Sequence, residues 1–92
     1  MNPIRIGLIG FGRMGGFYLE ELRKSGKWEV AYICDICAES RDLAHKLAPE
    51  ARIVADEQLI FDDPTFQVVG LFALADSRKT QIEKAFAAGK HV

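Results

Sequence analysis

Apolar positions along this chain come in two spacings, and the spacing switches back and forth. Ile4-Arg5-Ile6-Gly7-Leu8-Ile9 is nearly continuous in apolar character, as suits a strand covered on both faces. From Arg13 to Ser25 the apolar residues Met14, Phe17, Tyr18 and Leu22 fall at helical spacing. Glu20 and Lys24 sit four apart on the other side of that helix as an ion pair, and Gly26 is placed to stop it. Trp28–Cys34 is rich in β-branched and aromatic residues and predicts a second strand. Residues 39–48 predict a second helix, with Leu43 and Leu47 as its buried pair and Pro49 closing it. Arg52–Val54 predicts a short third strand, and Asp56 caps a short helix through Leu59, Ile60 and Phe61. After an Asp62-Asp63-Pro64 turn, Gln67–Leu74 predicts a fourth strand. Asp76 or Ser77 then caps a last helix carrying Ile82, Ala85 and Phe86, which ends at Gly89. Gly89-Lys90-His91-Val92 reads as the entry to a further strand, so the expectation is a piece of a longer protein.

Strand and helix alternate throughout. The expected fold is therefore α/β: a three-layer, Rossmann-type parallel sheet with right-handed crossovers and helices on both faces. Gly7 inside the first strand marks close helix packing. The ligand crevice of such a sheet lies at the carboxyl ends of its strands, where the first and fourth part direction. That edge gathers Gly10–Gly15, Asp35 and Ala73–Asp76.

The first strand runs into Gly10-Phe11-Gly12-Arg13-Met14-Gly15, which fits G-x-G-x-x-G. Each glycine has its own physical task. Gly10 permits the tight turn, Gly12 lets the backbone approach a pyrophosphate, and Gly15 lets the next helix pack closely. The free N–H groups of that helix and its dipole favour an anion at the turn. Asp35 stands twenty positions past Gly15 at the end of the second strand, where a carboxylate can accept from ribose hydroxyls. Strand before, helix after and acid downstream make a motif that is weak by itself a strong one.

Composition narrows the class further. Ninety-two residues with 49% hydrophobic and 27% charged residues make one small domain. A net charge of −1, with basic residues spread along the chain, argues against a nucleic-acid footprint. No apolar run approaches the roughly 20 residues that span a bilayer, and the amino terminus moves straight into a strand pattern, so neither membrane nor export signal is expected. Two cysteines without an export signal point to a reducing cytoplasm. Cys34 and Cys37 form C-x-x-C, which admits a redox pair or half a zinc site. With no second pair, a core cysteine plus a turn cysteine is the favoured reading, and no metal is expected. His45 falls on a charged helix face, His91 has no partner in sequence, and Arg78 fits a solvated first-turn arginine.

Three segments together resemble the amino-terminal domain of the glucose-fructose oxidoreductase / inositol dehydrogenase (Gfo/Idh/MocA) family. They are Ile6–Gly15, Val30-Ala31-Tyr32-Ile33-Cys34-Asp35, and Ala85-Phe86-Ala87-Ala88-Gly89-Lys90-His91-Val92. The resemblance covers nearly the whole chain, and its closing Ala-Gly-Lys-His-Val is the most specific part. It implies a nicotinamide dinucleotide, NAD(P), as cofactor; Asp35, followed by Ile36, Cys37 and Ala38 that cannot pair with a phosphate, favours NAD over NADP. Gly10, Phe11, Gly12, Arg13, Met14 and Gly15 would hold the pyrophosphate, Asp35 the adenosine ribose, and Ala73 and Leu74 would lie near the nicotinamide ribose. It also implies hydride transfer to or from a sugar, cyclitol or related alcohol, and a second domain that carries the substrate site and mediates homo-oligomerisation. The family's catalytic lysine sits in a Glu-Lys-Pro motif past the last residue here. No catalytic residue is thus expected in this chain, and the chain alone is expected to be inactive. Leu74 stands where the family commonly has proline, and Arg78 where it has histidine. Two other readings stay open: a non-catalytic nucleotide-sensing regulator, and an interaction module that keeps the fold without the cofactor.

Overall fold

The computed structural model describes residues 3–12, 15–72 and 75–92, and for residues 75–78 the backbone alone. Its elements run β1 (Ile4–Ile9), α1 (Gly15–Ser25), β2 (Trp28–Cys34), α2 (Ala38–Leu47), β3 (Arg52–Val54), α3 (Gln58–Asp62), β4 (Val68–Leu71) and α4 (Ala75–Ala87). All strand pairs are parallel and the order is β3-β2-β1-β4. The chain winds outward from β1 through β2 to β3, then crosses back to lay β4 on the far side. The expected doubly wound α/β sheet is therefore present, with its switch point between β1 and β4.

Side-chain alternation on the strands builds two cores. Ile6, Leu8, Val30 and Ile33 face α1 and α2, where they meet Leu19, Ala44 and Ala48. Ile9, Tyr32, Cys34 and Val69 face the opposite layer with Ile60, Phe61, Phe66 and Ala85. The β1–β2 register slips between Ile6, opposite Val30, and Gly7, opposite Tyr32. Ala31 is the extra residue, so Ala31 and Tyr32 both turn toward α3 and α4. A Cβ on Gly7 would lie 2.9 Å from Ile60 Cγ2, which explains the glycine in mid-strand.

The helix faces differ in detail from their periodicity. In α1 the buried side chain is Leu19, whereas Phe17 is 56% exposed. In α2 the helix approaches the sheet through Ala44, with Ala48 buried just past its end, and the larger Leu43 and Leu47 are left exposed on its flanks. Small residues allow that close approach, and the leucine spacing does not reveal it. Lys24 pairs with Glu21 at 3.8 Å rather than with Glu20. β4 is shorter than its apolar run: β1 turns away at Gly10, so the ladder ends where Ile9 pairs with Leu71. α4 begins at Ala75, which places Asp76 and Ser77 inside its first turn rather than at its cap. The N-cap position of α3 falls on Glu57 rather than Asp56, which sits one residue earlier and still accepts the Gln58 N–H on Oδ1 at 3.0 Å. Gly26 and Gly89 close α1 and α4 with positive φ. His91 makes an isolated parallel bridge to Val68 of β4, its N–H donating to Gln67 O and its O accepting from Val69 N–H.

One polar cluster ties the lower end of the sheet. Lys90 is 3% exposed, and its Nζ donates to Asp63 O at 2.6 Å and Phe66 O at 2.7 Å. Burial holds this ammonium below its ordinary pKa. The Asp63 carboxylate accepts from the Thr65 hydroxyl and amide and from Tyr32 Oη. Those bonds, the Thr65 hydroxyl first, lower its pKa from 3.8 to about 2. A carboxylate depressed by folding contributes stability that is complete above 3.8 and lost as pH falls toward about 2. Urea unfolding across pH 2–5 should therefore show an acid limb that Asp63→Asn flattens. An unchanged limb would place the acid sensitivity elsewhere.

Candidate functional site

The carboxyl ends of all four strands open into a cleft of about 630 Å³. Its wall runs from the glycine turn through Asp35 and Ile36 to Ala55-Asp56-Glu57 after β3, with Phe72 after β4 and Gln81 from α4. Asp35, Asp56 and Glu57 give it acidic character, and no lysine or arginine lines it among the described residues.

The turn is built by two left-handed glycines, Gly10 at φ 89° and Gly12 at φ 44°. Gly10 N donates to Cys34 O at 2.7 Å, extending the sheet one residue past β1. A Cβ on Gly12 would meet nothing within 4 Å among the described residues, which leaves space beside this backbone for a ligand. Gly15 has a different task. It is buried, and a Cβ there would run into the ring of Phe11, itself 2% exposed. The third glycine thus lets α1 seat on Phe11 beneath the turn.

Asp35 fastens the turn to β2. Its Oδ2 accepts from the N–H groups of Phe11 at 2.9 Å and Gly12 at 3.2 Å, while Oδ1 accepts from Cys37 N–H at 2.8 Å. A carboxylate offers about four acceptor positions, so among the described residues three are taken and one on Oδ1 stays open. Arg41 folds back from α2, Nη1 donating to Asp35 O at 2.8 Å. The structure brings Gly10, Phe11, Gly12, Gly15 and Asp35 to one edge, as the topology predicts. Arg13, Met14, Ala73 and Leu74 lie outside the described residues.

The cysteines follow their structural reading. Cys34 is buried and free, and burial pushes its thiol up to about 11. Cys37 is exposed and free, its pKa lowered chiefly by the backbone N–H of Ser40. No cluster of three or more potential metal ligands exists among the described residues, and no helix among them is long and apolar enough to cross a membrane.

Three cleft residues escape motif reading. Ile36 is an apolar side chain left 90% exposed at the mouth, directly after Asp35. Glu57 and Gln81 meet across the far wall: Gln81 Nε2 donates to Glu57 Oε2 at 2.8 Å. Gln81 is 5% exposed, and its Oε1 has no donor among the described residues. The only sequence signal was a polar residue placed next to Ile82 in a helix whose neighbours Ala85 and Phe86 are apolar.

A family model described as an oxidoreductase family with an NAD-binding Rossmann fold matches residues 4–92. The chain belongs to the Gfo/Idh/MocA oxidoreductase family. Among solved members with this fold is the WlbA dehydrogenase from Bordetella pertussis, in complex with NADH and UDP-GlcNAcA. It is 25% identical, with a TM-score of 0.88 over 99% of this chain and 28% of that one. The scyllo-inositol dehydrogenase from Lactobacillus casei, with bound NAD(H) and scyllo-inositol, shares the fold at a TM-score of 0.87. Its identity is 23%, over 99% of this chain and 27% of that one. A homoserine dehydrogenase from Neisseria gonorrhoeae is 29% identical over all of this chain and 23% of its own length. The chain thus spans about a quarter of the relatives it matches. The part matched is the family's NAD-binding Rossmann fold.

Proposed function

We propose that this Gfo/Idh/MocA domain binds NAD in preference to NADP, and that it serves hydride transfer at an alcohol carbon of a sugar, cyclitol or related polyol. The observation that carries the cofactor preference is Asp35: a carboxylate with an open acceptor position on Oδ1, at the end of β2, in a cleft whose other described charges are also acidic. Gly12 supplies open space beside a left-handed backbone, which fits a pyrophosphate approaching the turn. Gly10, Phe11, Gly12, Arg13, Met14 and Gly15 would hold that pyrophosphate, and Asp35 the adenosine ribose. Ala73 and Leu74 would border the nicotinamide ribose.

When bound, the dinucleotide supplies or accepts the hydride. The chain's own residues bind and orient it. Asp35 fixes the turn by accepting the Phe11 and Gly12 N–H groups, so the loop is set before a ligand arrives. The remaining Oδ1 acceptor position would take a ribose hydroxyl without displacing any of these bonds. A second hydroxyl on the carboxylate would take over a position now used by a backbone amide. A 2′-phosphate at this place meets a negative group and brings no donor in exchange. The substrate reading rests on the dehydrogenases with bound scyllo-inositol or UDP-GlcNAcA that share the fold, and it requires a second domain to supply the reacting site.

Calorimetric titration of the chain with NAD and with NADP tests the proposal. Saturable NAD binding, at least about tenfold tighter than NADP, is expected from one charged hydrogen bond worth about 1.5–3 kcal/mol. Equal or tighter NADP binding would refute the preference, and no binding of either would refute the cofactor site.

A further inference from the structure

We propose that Glu57 and Gln81 form an acceptor-only reader for the exocyclic amine of the cofactor's nucleobase, making the cleft selective for a 6-amino over a 6-oxo purine. The inference rests on the dinucleotide reading above and extends it to the base.

The sheet order gives the direction. The glycine turn lies at the end of β1 and Asp35 at the end of β2, and β3 is the next strand outward. A nucleotide held by its pyrophosphate at the turn and by its ribose at Asp35 continues toward Ala55-Asp56-Glu57. The space there suits a flat, mostly apolar ring: its lining includes the exposed side chain of Ile36 and the small side chain of Ala55.

What the far wall offers such a ring is hydrogen-bond acceptance. Glu57 is acceptor-only when ionised. Its Oε2 takes the Gln81 amide N–H, which fixes the amide with its NH₂ toward the carboxylate. The Gln81 Oε1 is thereby turned away from Glu57, and it lacks a donor among the described residues while its side chain lines the cleft and is 95% buried. Buried amide oxygens are nearly always satisfied, so an orphan at a ligand cleft points to a donor that arrives with the ligand. Lys84 reaches Glu57 Oε1 only at 3.5 Å from the solvent side and leaves that oxygen weakly engaged. The missing partner is a group with N–H donors at the edge of a planar ring. A 6-amino group carries two such donors. A 6-oxo group would set a carbonyl oxygen against a carboxylate and an amide oxygen.

The experiment compares NAD with nicotinamide hypoxanthine dinucleotide, which differs in the 6-oxo group and the N1 proton that accompanies it. Calorimetric titration of the native chain is expected to show NAD binding at least about tenfold tighter. Glu57→Gln, whose amide can turn its NH₂ to a 6-oxo group, should bring the two within about threefold. Glu57 is at the cleft rim, so this variant keeps its fold. Gln81→Met removes the orphan oxygen at similar volume, and should also narrow the ratio while the circular-dichroism melting midpoint does not fall. Equal binding of both dinucleotides by the native chain overturns the reader and leaves the cofactor site standing. An undiminished preference in Glu57→Gln overturns it as well. Binding of neither dinucleotide removes the site and the reader together.

Discussion

An Asp35→Ser chain is expected to lose at least about tenfold in NAD affinity and to stop preferring NAD over NADP. Two losses combine. The ribose loses a charged acceptor, and the glycine turn loses the carboxylate that accepts from Phe11 N–H and Gly12 N–H. Serine can replace one of those bonds at most. Selectivity should then move toward NADP. Arg41 already lies against the Asp35 carbonyl at 2.8 Å, and without the carboxylate its guanidinium is the cation, among the described residues, placed to pair with a 2′-phosphate. Titration of both cofactors into native and variant chains reads the two effects separately. Unchanged NAD affinity and unchanged selectivity would show that the base and pyrophosphate contacts carry the binding alone. A fall in NAD affinity without a gain for NADP would assign Asp35 to the turn rather than to cofactor choice.

Gly15→Ala should be the most damaging single methyl in the molecule. The new Cβ falls inside the ring of Phe11, a side chain 2% exposed and packed with Leu8 and Leu19. Overpacking of this kind costs about 1–3 kcal/mol, and a domain of this size loses about 4–8 °C of melting temperature per kcal/mol. A drop of roughly 5–20 °C is expected, along with weakened NAD binding because the displaced Phe11 carries one of the amides facing Asp35. Gly12→Ala provides the contrast. Its Cβ meets nothing within 4 Å among the described residues, so the cost is the left-handed backbone at φ 44°, about 1–2 kcal/mol. Its stability loss should be the smaller of the two. Melting curves in the reverse order would mean that α1 can shift to make room at Gly15.

Much of this was legible in the sequence, for physical reasons that particular residues show. Buried parallel strands need unbroken apolar runs, and Ile4–Ile9 and Trp28–Cys34 were readable to the residue. The glycine turn was readable because only glycine takes positive φ without cost, and Gly10, Gly12, Gly26 and Gly89 all do so. Helix faces were less legible. A helix that docks through alanine, as α2 does through Ala44, hides its inner face behind larger leucines nearby. The length of β4 depends on where β1 turns away, which is a property of the partner strand. The hydrogen bonds of Asp35 were out of reach for the same reason: spacing places the carboxylate at the cleft and says nothing of which amides converge on it. Lys90 and Gln81 run against the rule that long polar side chains stay in water. Each is buried because a specific partner flanking α3, Glu57 just before it or Asp63 just after it, faces it across the fold.

The alternation on β1 has a consequence for how the molecule comes apart. Ile6 and Leu8 belong to one core, while Ile9 belongs to the other. One short backbone therefore anchors both halves, and neither layer of helices can melt away without stripping a face of the strand that the other layer needs. Such sharing makes unfolding an all-or-none event rather than two successive ones. The glycine turn leaves from the end of this same strand, so the ligand cleft inherits the stiffness of the least removable part of the chain.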